Sequence, residues 1–192
     1  MKLIPEWHEH QYCFIAWPCN IEIYGNLINF ARLEVANVID EIAKTERVIV
    51  LSNENDVNDV KEKTNSENID IIECKLDDSW MRDIAPIFYN EDEKLKSISF
   101  EFNGYGKYPD YLNDNKISKI ISNYLNIPIK ISDLVIEGGA ITYDDKKNLF
   151  STKNVIFNKN RKQKHNSEYI IKELKLLFDL NYIFLFENGL MQ

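Results

Sequence analysis

The feature that most constrains the fold of this chain is a unit of helix, strand, polar motif and hairpin that occurs twice. The polar motif is DDSWMRD (77–83) in the first copy and IEGG (136–139) in the second, and two strands around an acidic turn follow each. Asp83 and Glu137 take corresponding places, and a period near fifty residues with several strands per unit indicates a propeller-like arrangement. Equivalent strand ends would direct both carboxylates toward one axis, so the repeat predicts a shared site.

Apolar patterning predicts the elements of these units. Apolar residues recur at helical spacing over 27–43, whereas short β-branched runs such as 47–51 indicate strands. The predicted strands are 12–17, 47–51, 69–74, 86–89, 95–102, 127–131, 140–143, 149–152 and 182–186, and the predicted helices are 27–43, 57–64, 117–125 and 168–177. Helices that alternate with apolar strands favour an α/β architecture, and the length favours one domain.

Charge and cysteine usage narrow the function classes. The formal net charge is −8, with acidic and basic residues mixed along the chain. This balance argues against nucleic acid or an anionic membrane surface as a partner and is compatible with a small cationic ligand. Three cysteines lack the spacing of a metal site, and no apolar run reaches membrane-spanning length. We therefore expect no metal and reduced thiols in the cytoplasm.

Five segments resemble motifs of agmatine deiminases and the related bacterial peptidyl-arginine deiminases. The segments are PEWHEHQYCFIAWP (5–18), DDSWMRDIAP (77–86), FEFNGYGKY (100–108), IEGGAI (136–141) and NVIFNKNRK (154–162). The last is similar to the family's N-P-N-R loop, with Lys159 where proline is usual. The segments keep the family's order and spacing across essentially the whole chain.

The resemblance implies the guanidino-group-modifying (pentein) fold, a five-bladed α/β propeller around a central site. Such enzymes hydrolyse agmatine to N-carbamoylputrescine and ammonia, a step of putrescine biosynthesis, without a metal or organic cofactor. A guanidinium is a planar fork of N–H donors, which carboxylates hold by charge-assisted hydrogen bonds. A cysteine thiolate then forms a covalent amidino intermediate, and a histidine transfers the protons.

The resemblance also assigns the candidate site residues. Asp83 matches the aspartate that holds the guanidinium, and Glu137 matches the glutamate that positions the catalytic histidine or the substrate. We expect Trp80 beside the substrate, and Arg82 to orient the loop and offset its negative charge. The two glycines after Glu137 would let the backbone pass close to the site. Each motif also has a purely structural alternative. The segment 77–83 could be a salt-bridged loop around a core Trp, and 136–139 could be a strand end followed by a glycine turn.

The family's remaining catalytic motifs, G-H-x-D and a late cysteine, do not occur in the 192 residues. The cysteines present are expected to be structural, although Cys19 could face a cleft. His165 lies in a basic segment, 161–165, of the kind that is usually a solvated surface. His8 and His10 have no evident carboxylate partner in the sequence.

We therefore expect residues 1–192 to be one incomplete domain, the N-terminal portion of an agmatine-deiminase-like hydrolase with under three of five blades. The substrate would be a small cationic guanidino compound, and the chain alone would be inactive. The missing part would come from a complementing C-terminal chain or a longer gene product, and a homo-oligomer is also open. A peptidyl-arginine deiminase-like enzyme and a non-catalytic guanidinium-binding remnant remain as alternatives.

Two further expectations concern the last and the first units of the repeat. The repeat predicts a third polar motif at 187–190, after the strand 182–186. An unclosed propeller would leave apolar surface bare around Tyr182, Phe184 and Phe186, and around Trp7 and Trp17. We therefore expect the isolated chain to self-associate, to bind a dye for exposed apolar surface, or to need a partner that carries the remaining blades.

Overall fold

The structure, a computed structural model, describes residues 1–189, which divide into two compact units. The inserted unit contains Glu9–Met81, and the larger unit contains Met1–His8 with the described residues from Arg82 onward. The boundary between them falls inside the DDSWMRD motif. The polar motif expected at 187–190 reaches past residue 189, so its last position lies outside the described residues.

Helices and strands alternate along the chain, which confirms the α/β class. The strands are β1 (Lys2–Leu3), β2 (Tyr12–Ala16), β3 (Arg47–Ser52), β4 (Ile69–Glu73), β5 (Ile87–Glu91), β6 (Lys94–Glu101), β7 (Ile129–Val135), β8 (Thr142–Tyr143), β9 (Asn148–Thr152) and β10 (Tyr182–Phe186). The helices are α1 (Ile21–Tyr24), α2 (Ile28–Ile42), α3 (Val57–Lys63), α4 (Met81–Ile84), α5 (Ile117–Tyr124), α6 (Lys153–Ile156) and α7 (Ser167–Phe178).

The inserted unit is built on a parallel sheet in the order β2-β3-β4. Its central strand β3 has the sequence RVIVLS, and the residues from Val48 to Leu51 are fully buried. Continuous burial of β-branched residues is typical of a parallel strand that is covered on both faces. Ala36 and Ile39 of α2 join Val48 in the core of this unit.

Trp17 is fully buried in the inserted unit, so the expectation that its region is bare is wrong. The indole N–H donates to Asp59 Oδ2 at 3.2 Å, and Arg32 Nη1 donates to the same oxygen at 3.1 Å. Lys63 also pairs with Asp59. A buried indole needs such a polar partner, and this one was not evident from the sequence. Trp7, in contrast, is 68% exposed.

The larger unit contains two sheets with the same local topology. Strands β5 and β6 form an antiparallel hairpin and β7 adds to β6 in parallel, while β8 and β9 form a hairpin and β10 adds to β9 in parallel. In each copy a helix, α5 or α7, lies in the crossover to the parallel strand. The predicted repeat is therefore present in the two sheets. The strands of residues 1–189 form three separate sheets, and no closed barrel is among them.

Local sequence explains both hairpin turns. Asp92 and Glu93 have positive φ values of 52° and 60°, the backbone of a two-residue turn that fits the twist of antiparallel strands. In the second hairpin the Asp144 carboxylate accepts hydrogen bonds from the backbone N–H groups of Lys146 and Asn148, both at 2.9 Å. The acidic residues of both turns thus serve the turn geometry.

Two strands of the larger unit differ from their predicted bounds. Strand β7 continues to Val135, past the predicted end at 131, and the strand predicted at 140–143 shortens to β8. Strand β8 begins later than predicted because Gly138–Ala140 form a 3₁₀ turn, in which Ala140 N–H donates to the Glu137 carbonyl at 2.9 Å. The core of this unit includes Leu3, Ile98, Leu134, Ile136, Leu149, Leu174 and Phe178.

The helices of residues 1–189 include none with both the length and the apolar character needed to cross a bilayer.

Candidate functional site

Asp83 is a half-buried carboxylate at the start of the first hairpin, on helix α4. Its Oδ2 accepts a hydrogen bond from the Tyr105 hydroxyl at 2.6 Å, and its Oδ1 accepts one from the Gly139 backbone N–H at 3.0 Å. Ser118 Oγ donates to the carbonyl of the next residue, Ile84, at 2.8 Å and fixes the backbone there. A carboxylate oxygen can accept more than one hydrogen bond, so Asp83 has acceptor capacity beyond these two donors.

The glycine pair after Glu137 makes a close backbone approach to α4 possible. A Cβ atom on Gly138 would lie 2.3 Å from the carbonyl oxygen of Arg82, and one on Gly139 would lie 2.4 Å from Asp83 Oδ1. Both distances are far below any real carbon–oxygen contact. The E-G-G sequence therefore brings the Gly139 N–H within hydrogen-bond distance of Asp83.

Glu137 is only 2% exposed, and Arg161 pairs with it. Arg161 Nε donates to both carboxylate oxygens of Glu137 at 2.9 Å. A buried carboxylate needs such a partner, because removing one member of a buried pair leaves a charge without compensation. The turn 137–139 therefore links the two carboxylates. Its first residue, Glu137, is held by Arg161, and its last residue, Gly139, donates its backbone N–H to Asp83.

Arg161 and Tyr105 belong to this constellation, and sequence reasoning did not select them. The side chain of Arg161 is 12% exposed, so the description of 161–165 as a solvated surface is wrong for its first residue. The N-K-N-R and N-G-Y-G segments were the signals that could have identified both residues. The loop of Tyr105 has positive φ at three consecutive positions, 104–106, which is a costly backbone outside glycine.

Contacts between these two segments are close. Asn103 Nδ2 donates to the Arg161 carbonyl at 2.8 Å, and a Cβ on Gly106 would lie 1.7 Å from the Asn160 carbonyl oxygen. Gln163 donates to the Val135 carbonyl at 2.6 Å and accepts from its N–H at 3.1 Å, so it pairs with the end of β7 as a strand would. Within residues 1–189 the buried Asn103 Oδ1 accepts no hydrogen bond.

The other two candidate residues have their own partners. Trp80, in the inserted unit, donates its indole N–H to the buried Asp78 at 2.5 Å, and the residue is 49% exposed. Arg82, in the larger unit, forms an exposed ion pair with Glu6. Burial raises the pKa of the neighbouring Tyr143 to about 12, while Arg82 lowers it and Glu6 raises it.

Two histidines have carboxylate partners. His10 Nδ1 lies 2.6 Å from Glu46 Oε2, which corrects the expectation that it has none. His165 Nε2 lies 2.8 Å from Asp133 Oδ2, and the hydrogen bond to His165 lowers the pKa of Asp133.

Residues 1–189 show no group of His, Cys, Asp and Glu side chains suited to a metal ion. Burial raises the pKa of the Cys13 thiol, with Glu46 adding to the effect. A raised pKa makes a thiol a poor nucleophile at neutral pH. Cys19 Sγ donates to the Leu76 carbonyl at 3.7 Å.

Comparison with known proteins relates this geometry to a family. A family model described as Porphyromonas-type peptidyl-arginine deiminase matches residues 2–192. A protein of Mycoplasma capricolum, provisionally named agmatine deiminase, is 31% identical over 176 residues, which cover 88% of this chain and 48% of that protein. An agmatine deiminase of Medicago truncatula is 27% identical, and the match covers 96% of this chain and 53% of that protein.

Solved structures show the same fold. A C. jejuni agmatine deiminase with substrate bound matches with a TM-score of 0.89 and 24% identity, over 100% of this chain and 57% of that one. The chain spans about half the length of the curated relatives it matches. Because the family model matches nearly every residue, the chain belongs to the Porphyromonas-type peptidyl-arginine deiminase family.

Proposed function

We propose that this chain forms part of a hydrolase that acts on the guanidino group of agmatine and yields N-carbamoylputrescine and ammonia, a step toward putrescine. The observation that carries the proposal is the half-buried Asp83 carboxylate, which has a separate donor on each oxygen. The family match and the relatives named agmatine deiminase support it.

In this proposal Asp83 is the catalytic residue that holds the guanidinium. A guanidinium offers N–H donors in one plane, and a carboxylate whose plane is fixed can accept two of them side by side. Tyr105 and Gly139 fix that plane, because they hold different oxygens. Hydrogen bonds between charged partners are roughly twice as strong as neutral ones, so a fixed carboxylate gives both affinity and orientation.

The other candidate residues support this role. Glu137, which the resemblance predicts to be catalytic, serves in this proposal as a positioning residue, since it is buried and paired with Arg161. Trp80 is 49% exposed with its N–H bonded to Asp78, and in the proposal its indole contacts the planar cation of the substrate. Arg82 orients its loop through the pair with Glu6.

The chemistry needs groups beyond those described. A guanidinium carbon is a poor electrophile, so a thiolate and a proton-transfer histidine are required. The raised pKa of Cys13 makes its thiol a poor nucleophile, and neither the G-H-x-D motif nor the late cysteine of the family occurs in the 192 residues. We propose that a complementing chain or a longer gene product supplies both, and that the whole works in the cytoplasm without a metal or organic cofactor.

The same proposal covers the architecture. Residues 1–192 form one incomplete domain, and the hairpin, helix and parallel strand that occur twice are units of a five-bladed propeller. The hairpin and parallel strand that the two sheets share support this, as does the coverage of about half of each relative. Coexpression with the C-terminal half of a relative, followed by size analysis, tests the architecture: a stable one-to-one complex is expected, and two chains that never associate would contradict it.

Ammonia release from agmatine tests the activity. The chain alone should release none above buffer, and the complemented protein should release it steadily. Steady release by the chain alone that disappears in Cys19→Ser would overturn the proposal and identify Cys19 as the nucleophile.

A second candidate function is deimination of peptide-bound arginine, which the description of the family model favours. Assays of the complemented protein with agmatine and with an arginine-containing peptide separate the two. Turnover of agmatine alone supports the first, turnover of the peptide supports the second, and binding without turnover of either indicates a guanidinium-binding module.

A further inference from the structure

Arg161 anchors one of the two donors of Asp83. Its Nε donates to both oxygens of Glu137 at 2.9 Å, and Glu137 is buried while the side chain of Arg161 is 12% exposed. The carbonyl of Glu137 accepts from Ala140 N–H at 2.9 Å and so closes the turn that presents the Gly139 N–H. The position of that N–H therefore depends on Glu137, and the position of Glu137 depends on Arg161.

The backbone of Arg161 also anchors the loop of the other donor. Asn103 donates its side-chain amide to the Arg161 carbonyl at 2.8 Å, and Gly106 packs directly against the Asn160 carbonyl. Between them, residues 104–106 all have positive φ. Such a backbone persists only where its surroundings hold it, and the segment around Arg161 supplies those contacts.

These contacts form a closed ring of hydrogen-bonded residues. It runs from Asp83 to Tyr105, through the loop 103–106 to Arg161, then through Glu137 and the glycine turn back to Asp83. Every step lies within the larger unit. Arg161 contacts both donor segments: its carbonyl bonds Asn103 of the Tyr105 loop, and its side chain bonds Glu137 of the glycine turn.

We infer that Arg161 is a positioning residue of the candidate active site, which holds both donors of Asp83 through its side chain and its carbonyl. The catalytic meaning of this inference rests on the proposed function, since the position of Asp83 matters only if it binds the guanidinium. A buried ion pair is not by itself evidence that the pair stabilises the fold, because replacing both members with apolar residues often leaves stability unchanged. A test of Arg161 must therefore measure the position of the donors to Asp83, and stability alone is not sufficient.

Hydrogen exchange of the 138–141 backbone amides in the full chain, measured by mass spectrometry, reads that position directly. The Gly139 N–H donates to Asp83 and the Ala140 N–H to Glu137, so both should exchange slowly in the unaltered chain. Arg161→Met should speed their exchange by roughly tenfold or more, because the acceptor positions are lost. Arg161→Lys keeps a cation and a donor for Glu137, and it should restore most of the protection.

Lys164→Met is the matched control. Lys164 lies three positions from Arg161 on the same segment, and it makes an exposed pair with Glu101. Its replacement should leave the exchange of 138–141 unchanged. Unchanged exchange in a folded Arg161→Met chain, or no recovery in Arg161→Lys, would overturn the inference.

If Arg161→Met does not fold, the double variant Arg161→Met with Glu137→Gln removes both buried charges and keeps a neutral side chain of similar shape at 137. Fast exchange at 138–141 in this folded chain supports the inference, and full protection overturns it.

Agmatine titration by calorimetry separates this inference from the proposed function. Fast exchange in Arg161→Met, together with no binding of agmatine to the complemented unaltered protein, leaves the positioning role standing and contradicts the proposed function. Agmatine affinity that is equal in the unaltered and Arg161→Met proteins contradicts the positioning role alone.

Discussion

At Asp83, two neutral donors hold one carboxylate. Tyr105 comes from the loop after β6 and Gly139 from the turn after β7, so residues distant in the sequence hold the two oxygens separately. A carboxylate held by one oxygen would rotate about its bond to Cβ, whereas one held by both keeps its plane. Planar, paired recognition of a guanidinium depends on that plane.

Gly139→Ala tests the close approach to this carboxylate. The new Cβ would lie 2.4 Å from Asp83 Oδ1, so the carboxylate must move and lose its N–H donor. We expect agmatine affinity of the complemented protein, measured by calorimetry, to fall roughly tenfold or more, which corresponds to one lost hydrogen bond to a charged group. Gly189→Ala is the control, since its Cβ would meet atoms only at 3.5 Å. Equal affinity in the two variants would contradict the geometry.

Elements that depend on local pattern were predictable, and contacts between distant segments were not. Strand β10 has its predicted bounds, and α7 differs by one residue at each end, because apolar periodicity determines both. The burial of Arg161 and Trp17 depends on partners 24 and 42 positions away in the sequence, Glu137 and Asp59. Of the candidate site, the motif residues were predictable from the resemblance, whereas Tyr105 and Arg161 required the fold.

Asp59 makes the stability of the inserted unit dependent on pH. Burial opposes its ionisation, but the hydrogen bond and charge of Lys63, the charge of Arg32 and the Trp17 N–H lower its pKa below the ordinary 3.8. A carboxyl whose pKa falls on folding stabilises fully above its unfolded pKa, and that contribution disappears as the pH falls through the folded pKa. The loss therefore begins near pH 4 and continues below it.

Asp59→Asn should remove this dependence. We expect the free energy of unfolding at neutral pH to fall by about 1.5–3 kcal/mol, the usual effect of a hydrogen-bonded charge, and the acid side of the profile to flatten. Urea denaturation from about pH 2 to pH 7 measures both. Glu62→Gln on the same helix α3 is the control, and an acid profile identical in the two variants would contradict the assignment.

At the scale of the whole molecule, β10 presents an aromatic face. Tyr182, Phe184 and Phe186 are 65%, 45% and 61% exposed, as expected from the sequence, and Phe150 stacks on Phe184 with ring centres 5.1 Å apart. The strand lies at the edge of its sheet, so that within residues 1–189 one side of its backbone is not paired with another strand. Apolar surface of this kind marks an interaction site.

We therefore expect the chain on its own to self-associate at micromolar concentration and to bind a dye for apolar surface. Replacing Phe184 and Phe186 with Lys should reduce both, because charge on the aromatic face opposes contact with a second copy. Ile131→Lys, at an exposed apolar residue of another sheet, is the control and should change little. Light scattering is the measurement, and a compact, dye-free monomer with cooperative melting would contradict the prediction.

Whether Asp83 binds the guanidinium is decided by the ammonia-release rate of the complemented Asp83→Asn protein. The amide keeps the shape of the side chain but loses the charge-assisted pair, about 1.5–3 kcal/mol, so kcat/KM for agmatine should fall roughly 10- to 200-fold. Melting should stay close to that of Asp145→Asn, a control at an exposed turn of the larger unit. Full turnover in Asp83→Asn, or a loss of stability without a specific loss of turnover, would contradict the account.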